Sequence, residues 1–145
     1  MTERDLIAEA RQRRQPLHDA AEALEMAAAG PVGAGSVWKD RIRGEVAEVA
    51  VALADHIDKT EGPDGLYREL TTLAPRLSND IRLLTIDHDI LKAMIKEIEI
   101  VVETDEEPAL IRDQITQLLG RVIRHRQKGA DMVYEAYHVD IGGQA

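Results

Sequence analysis

The chain has 145 residues, a formal net charge of −9 and no cysteine. This length suits one domain, since such a chain buries about two-thirds of its unfolded surface on folding. The lack of cysteine excludes disulfides, thiolate zinc sites and iron–sulfur clusters. The acidic charge argues against nucleic acid as a partner, because phosphate binding needs clustered Lys and Arg.

We expect neither a membrane-spanning segment nor an export signal in this chain. Its N-terminus is charged from the third residue, and no apolar run approaches the length needed to cross a bilayer. We therefore expect a cytoplasmic protein with no membrane partner. With no Phe, one Trp and three Tyr, its core must be aliphatic.

Apolar residues recur with helical spacing almost throughout, and no segment alternates with a period of two. The first helical region covers residues 3–29, where Pro16 either breaks the helix or begins a fresh one. Residues 30–35 form a Gly-rich loop. The second long helix should end near Gly62-Pro63, and residues 64–76 should form a short connecting helix.

The two remaining long helices have the clearest apolar stripes. The third comprises Ile81, Leu84, His88, Leu91, Ile95, Ile98 and Val102, and the fourth comprises Ile111, Ile115, Leu118, Val122, His125 and Met132. Short loops force antiparallel neighbours, so the pattern predicts an all-α, up-down-up-down four-helix bundle. We expect a single domain over 1–145, with 1–14 as an N-terminal helical extension and 15–142 as the bundle.

Four of the five histidines recur at similar intervals. His56 follows His18 by 38 residues, and His125 follows His88 by 37, so each predicted hairpin carries a histidine on both arms. Neutral histidine is the commonest metal ligand, and bundles build metal sites from inward side chains of facing helices. Each lone histidine could instead be a hydrogen-bonded core residue. Burying several imidazoles costs on the order of a few kcal/mol each unless their nitrogens are satisfied, which a shared metal would do.

Candidate acids and a phenol accompany the histidines. Glu61 lies five residues after His56, and Asp131 lies six after His125, which is slightly late for a regular helix. A local break or a π-bulge at Gly62-Pro63 and at Gly129 would turn these two acids inward. Tyr67, Tyr134 and Tyr137 are expected near the same end of the bundle, where a phenol could donate a hydrogen bond near the metal or be a ligand.

Residues 53–67 and 86–91 resemble the hemerythrin-like HHE cation-binding domain, and residues 125–137 resemble an actinobacterial-type branch of it. The resemblance covers about residues 15–142. It implies a four-helix bundle with a non-haem di-iron centre and a coordination position open to dioxygen. By position, it implies these metal ligands: His18, His56, Glu61, His88, His125 and Asp131.

The chain departs from that family pattern at three places. Lys92 stands where the family offers a second histidine, Thr60 stands where it offers an acid, and Asp131 is displaced by one residue. The sequence is therefore compatible with three kinds of site: a di-iron centre, a mononuclear iron or zinc site, and a vestigial site.

The main functional hypothesis is a hemerythrin-like iron protein that binds or senses dioxygen, nitric oxide or peroxide without being an enzyme. One alternative is a peroxide-consuming iron enzyme. The other is a bundle with a vestigial site that serves as a dimerisation or regulatory module. The Ala-rich stretch 20–29 would allow close helix approach in a homodimer.

Overall fold

The computed structural model describes residues 3–33 and 36–137. The helices are α1 (Glu3–Ala29), α2 (Val37–Glu61), α3 (Leu66–Leu73), α4 (Ser78–Val102) and α5 (Pro108–Glu135), with a 3-10 turn at Pro75–Leu77. No strand occurs in these two ranges. The all-α prediction is confirmed, including the short helix between the second and third long helices. His138 and the predicted bundle limit at residue 142 lie outside the described residues.

Local sequence explains where the helices run and stop. The first helix continues through Pro16 without a break, so α1 is one helix of 27 residues. The second helix ends at Glu61, directly before Gly62 and Pro63, as the sequence predicts. None of the α-helices described is both long and apolar enough to cross a bilayer.

A tight turn joins α2 to α3. The backbone N–H of Gly65 donates to the carbonyl oxygen of Gly62 at 2.8 Å. A Cβ atom on Gly65 would lie 2.5 Å from the carbonyl oxygen of Thr60, which is too close for any side chain. Glycine therefore lets α3 fold back against the end of α2.

The four long helices form a ring, because α1 and α4 each contact both α2 and α5. Arg112, near the start of α5, donates to the carbonyl oxygens of Ala28 and Gly30 at the end of α1, each at 2.8 Å. Arg76, just before α4, donates to Glu135 at the end of α5 at 2.8 Å. Antiparallel neighbours make such end-to-start contacts, while the full up-down-up-down order stays a prediction.

The buried apolar residues form two clusters. The larger is built from α1, α2, α4 and α5, and its edge includes Leu53, Leu91 and Val122. The smaller is built from α3, the start of α4 and the end of α5, and its edge includes Leu84 and Met132. The buried polar residues lie between these two edges along the helices: His56, Thr60, Asp87, His88 and His125. The bundle thus contains a polar layer between two apolar ones.

Candidate metal centre

Three histidines from three helices occupy the polar layer. His56 follows Leu53 on α2, His88 precedes Leu91 on α4, and His125 follows Val122 on α5. The exposed fractions of these histidines are only 4%, 0% and 3%, respectively. We call His56, His88 and His125 the histidine trio.

The Nε2 atoms of the histidine trio converge. Nε2 of His125 lies 3.0 Å from Nε2 of His88 and 3.3 Å from Nε2 of His56. The three rings are inclined to one another, at 58° for His88 and His125 and at 79° for His56 and His125. The three side chains therefore point one nitrogen each at a common centre.

This spacing suits ligands of a single metal ion. Zn–N bonds of about 2.0–2.1 Å place two ligand nitrogens about 3.3 Å apart at tetrahedral angles and about 2.9 Å apart at right angles. The observed separations of 3.0 and 3.3 Å fall inside that range. The histidine trio could hold a metal ion.

Carboxylates bind the outer nitrogens of two trio members. The Nδ1–H of His88 donates to Oε2 of Glu61 at 2.5 Å, and the Nδ1–H of His125 donates to Oδ2 of Asp87 at 2.6 Å. Nε of Arg121 donates to the second oxygen of Asp87 at 3.0 Å. Carboxylates in this position orient a metal-binding imidazole and raise its basicity.

The hydrogen bonds at Nδ1 determine which nitrogen of each ring carries the proton, and so whether Nε2 is free to bind a metal. Burial lowers the pKa of His88, and burial first, with the proximity of the His88 ring second, lowers the pKa of His125 to about 4. Both rings are therefore neutral at pH 7 and carry their one proton on Nδ1, so each Nε2 presents a lone pair. Two lone pairs face each other at 3.0 Å, which is repulsive without a cation between them.

A phenol and a hydroxyl complete the layer. The hydroxyl of Tyr67 lies 3.4 Å from Nε2 of His88, and the two rings are nearly parallel. Thr60 lies beside the same phenol, and its own hydroxyl donates to the backbone carbonyl of His56 at 2.8 Å. Burial raises the pKa of Tyr67 well above its ordinary value, so the phenol is neutral in the metal-free protein.

His18 lies apart from the histidine trio. Its Nδ1 accepts a hydrogen bond from Arg126, and its Nε2 lies 3.6 Å from Glu22 one turn along the same helix. The His18 side chain is 38% exposed. His18, Asp19 and Glu22 form a second group that could hold a metal, but both acids are exposed.

The two acids predicted as ligands, Glu61 and Asp131, do not lie at the point where the trio nitrogens converge. Glu61 reaches the site through the outer nitrogen of His88 rather than the shared centre. Asp131 is exposed and accepts a hydrogen bond from Gln127 at 2.8 Å. Helix α5 is regular through Gly129, and within residues 36–137 the π-helical backbone is confined to 136–137, so the bulge expected to turn Asp131 inward is not found near Gly129. Lys92 is also exposed.

Asp87 is the site residue that the sequence interpretation missed. Its side chain is 10% exposed, and it contacts both His125 and Arg121. A signal was present, because Asp87 lies three residues after Leu84 and four before Leu91 and so shares their apolar stripe. A groove of about 490 Å³ between α4 and α5 includes Asp87 and Arg121 in its wall.

No family model, curated protein or solved structure matches this chain. The hemerythrin-like resemblance therefore stays an interpretation of the sequence. What can be inferred about function depends on the geometry of the polar layer.

Asp87→Asn is expected to weaken zinc binding by about 10- to 100-fold, because loss of a carboxylate behind a metal-binding imidazole has an effect of that size. The asparagine carbonyl can still accept from Nδ1 of His125, so the change removes charge with little change in shape. Competition with a chromophoric chelator would measure the Kd. Asp131→Asn is the matched control and should leave the Kd unchanged. Equal weakening in both variants would contradict this assignment of Asp87.

Proposed function

We propose that this protein is a metal-binding helical bundle that holds one divalent transition-metal ion, iron or zinc, at the Nε2 atoms of the histidine trio. Imidazole nitrogens suit this class of metals, whereas magnesium and calcium prefer oxygen ligands. The dry layers on both sides of the site, built from the two apolar clusters, would shield the ion from bulk water.

One observation carries the proposal. Both His88 and His125 donate from Nδ1 to a carboxylate, so both aim an Nε2 lone pair at the same point. A structural histidine pair would ordinarily satisfy itself by one nitrogen donating to the other. Here the carboxylates hold the protons on the outer side, which is the arrangement of metal-ligating histidines.

The donor set supports one ion rather than two. Among the side chains that the structure describes, the histidine trio is the only buried group of candidate ligands within mutual reach. Glu61 and Asp87 are engaged at outer nitrogens, and Asp131 is exposed. A di-iron centre would need bridging carboxylates at the shared centre, so these residues do not fit the di-iron site that the hemerythrin-like resemblance implies.

The hemerythrin-like resemblance favours iron over zinc. Three protein nitrogens leave coordination positions for other ligands on either ion. With iron, such a position would take dioxygen, nitric oxide or peroxide, and the protein would act as a binder or sensor. The acidic surface, with a net charge of −9, does not hinder the entry of uncharged ligands of this size.

Metal content tests the proposal. Protein purified without an affinity tag would be stripped with a chelator, loaded anaerobically with Fe²⁺ or with Zn²⁺, freed of excess ion and measured by elemental mass spectrometry. We expect one ion per chain, and the metal present before stripping would separate iron from zinc. Two irons per chain would overturn the mononuclear site in favour of a di-iron centre. No bound metal under either condition would overturn the metal site itself and favour the vestigial module.

A further inference from the structure

Tyr67 brings an oxygen to the edge of the histidine trio. Its hydroxyl lies 3.4 Å from Nε2 of His88, close to the separations of 3.0 and 3.3 Å among the trio nitrogens themselves. The ring of Tyr67 stacks on that of His88 with an interplanar angle of 10° and a centroid separation of 5.8 Å. The phenol oxygen is therefore spaced from a trio nitrogen as one ligand atom is from another.

Three features hold Tyr67 there. It is the second residue of α3, directly after the turn that Gly65 makes possible. Its side chain is buried, with 7% of the residue exposed, in the smaller apolar cluster. Its hydroxyl also contacts Thr60. The position of the phenol is thus fixed by the backbone and by packing, independently of any metal.

We propose that the phenol oxygen of Tyr67 is the fourth protein ligand of the metal ion. The inference rests on the proposed function and extends it from three nitrogen ligands to three nitrogens and one oxygen. On binding, the O–H bond of Tyr67 breaks, a metal–oxygen bond forms, and the proton passes to solvent. The phenolate charge would then offset part of the charge of the cation, which three neutral imidazoles do not.

The identity of the metal determines whether a coordination position stays open once Tyr67 has bound. Zinc in a structural site is almost always four-coordinate, so Tyr67 would close a zinc site and leave no position for a further ligand. Non-haem iron sites keep further positions open, so an iron site would still accept a small ligand beside Tyr67. With Tyr67 as a ligand, a zinc ion would therefore have a purely structural role, whereas an iron ion could still bind a small ligand.

Zinc alone serves as the probe, because it has no absorption of its own. Metal-free protein would be titrated with Zn²⁺ at pH 7 while ultraviolet difference spectra record tyrosine ionisation. We expect one ionised tyrosine and one released proton per zinc, the proton counted calorimetrically in buffers of different ionisation enthalpy. Tyr67→Phe should still bind zinc but lose both signals. Tyr134→Phe, which changes a tyrosine that is 59% exposed, should keep both.

The outcomes separate the two proposals. Zinc bound by the wild-type protein without tyrosine ionisation or proton release would overturn the role of Tyr67 and leave the three-histidine site standing. Persistence of the ionised-tyrosine signal in Tyr67→Phe would also overturn it. Failure of the wild-type protein to bind zinc or iron would overturn the proposed function and this inference together. The proton count of the wild-type protein decides the matter even if Tyr67→Phe folds poorly.

Discussion

Replacing His125 with leucine is expected to weaken binding of Zn²⁺ by more than about 100-fold, beyond the range seen when a residue behind a ligand is lost. His125 is the trio member whose Nε2 lies within 3.3 Å of both of the others. Its removal takes away one of three nitrogens and leaves a ligand pair on helices α2 and α4. Leucine is apolar and of similar size, so the surrounding layers can remain packed. Chelator competition would measure the Kd, with circular dichroism to establish that the bundle is folded.

His18→Leu is the matched control for this experiment, because it removes a histidine that the hemerythrin-like resemblance assigns to the same site. The structure places His18 beside Arg126 and Glu22, with its side chain 38% exposed. We therefore expect His18→Leu to leave the Kd for zinc within about twofold of the wild-type value, as for residues with no shared partner. A loss in His18→Leu as large as in His125→Leu would contradict a site built from the histidine trio alone.

The fold could be predicted from sequence because its signals are local and repeated. The buried stripe of α4 through His88 has seven members at steps of three or four, among them Ile81, Leu91 and Ile98. The break at Gly62-Pro63 defines the end of α2 in the same direct way. Pro16 was ambiguous, since a proline at a helix start and one inside a helix look alike in sequence. Its placement within α1 depends on packing that sequence periodicity does not report.

The candidate site was predictable in part. His56, His88 and His125 continue apolar stripes, so their burial followed from helical periodicity. The positions of the carboxylates did not follow, because they depend on which helices face each other and at what height. Glu61 reaches His88 across the helix interface, 27 residues away along the chain, and Asp87 reaches His125 across 38 residues. A single sequence shows clearly only the spacing of residues within one helix. Both of these pairings join residues of different helices, so sequence spacing does not reveal them.

The difference between Asp87 and Asp131 illustrates this limit. Asp131 follows His125 by six residues, which on a regular helix turns it about 120° away from the histidine. It accordingly faces solvent. Asp87 is adjacent to His88 but serves His125, because the direction of its side chain leads to α5. Proximity in sequence to one histidine thus gave no indication of which histidine the acid would contact.

The metal-free protein is expected to lose stability as the pH falls below about 6.5, and His125 should account for much of the loss. The pKa of His125 is lowered from 6.5 to about 4, first by burial and then by His88. A histidine with a lowered pKa is neutral in the folded state and binds a proton more readily when unfolded. Its contribution to stability is therefore complete above pH 6.5 and declines as the pH falls towards 4.

The size of this effect follows from the same pKa. Between pH 7 and pH 5 the free energy of unfolding should fall by about 2 kcal/mol through His125 alone, and by about 3 kcal/mol by pH 4. The pKa of His88 is also lowered, so its contribution has the same sign. Urea unfolding of chelator-treated protein at several pH values would measure the decline.

His125→Leu provides the test of that assignment, because leucine cannot take up a proton. The variant removes a buried imidazole whose lone pair faces that of His88, and it leaves Asp87 with its bond from Arg121 but without its bond from His125. Its decline towards acid should be shallower, with the remaining slope due to His88. An unchanged pH dependence would contradict the neutral, buried state of His125. Increased stability in the metal-free variant, together with lost zinc binding, would mean that the histidine is retained at a cost to the fold that only a bound ion offsets.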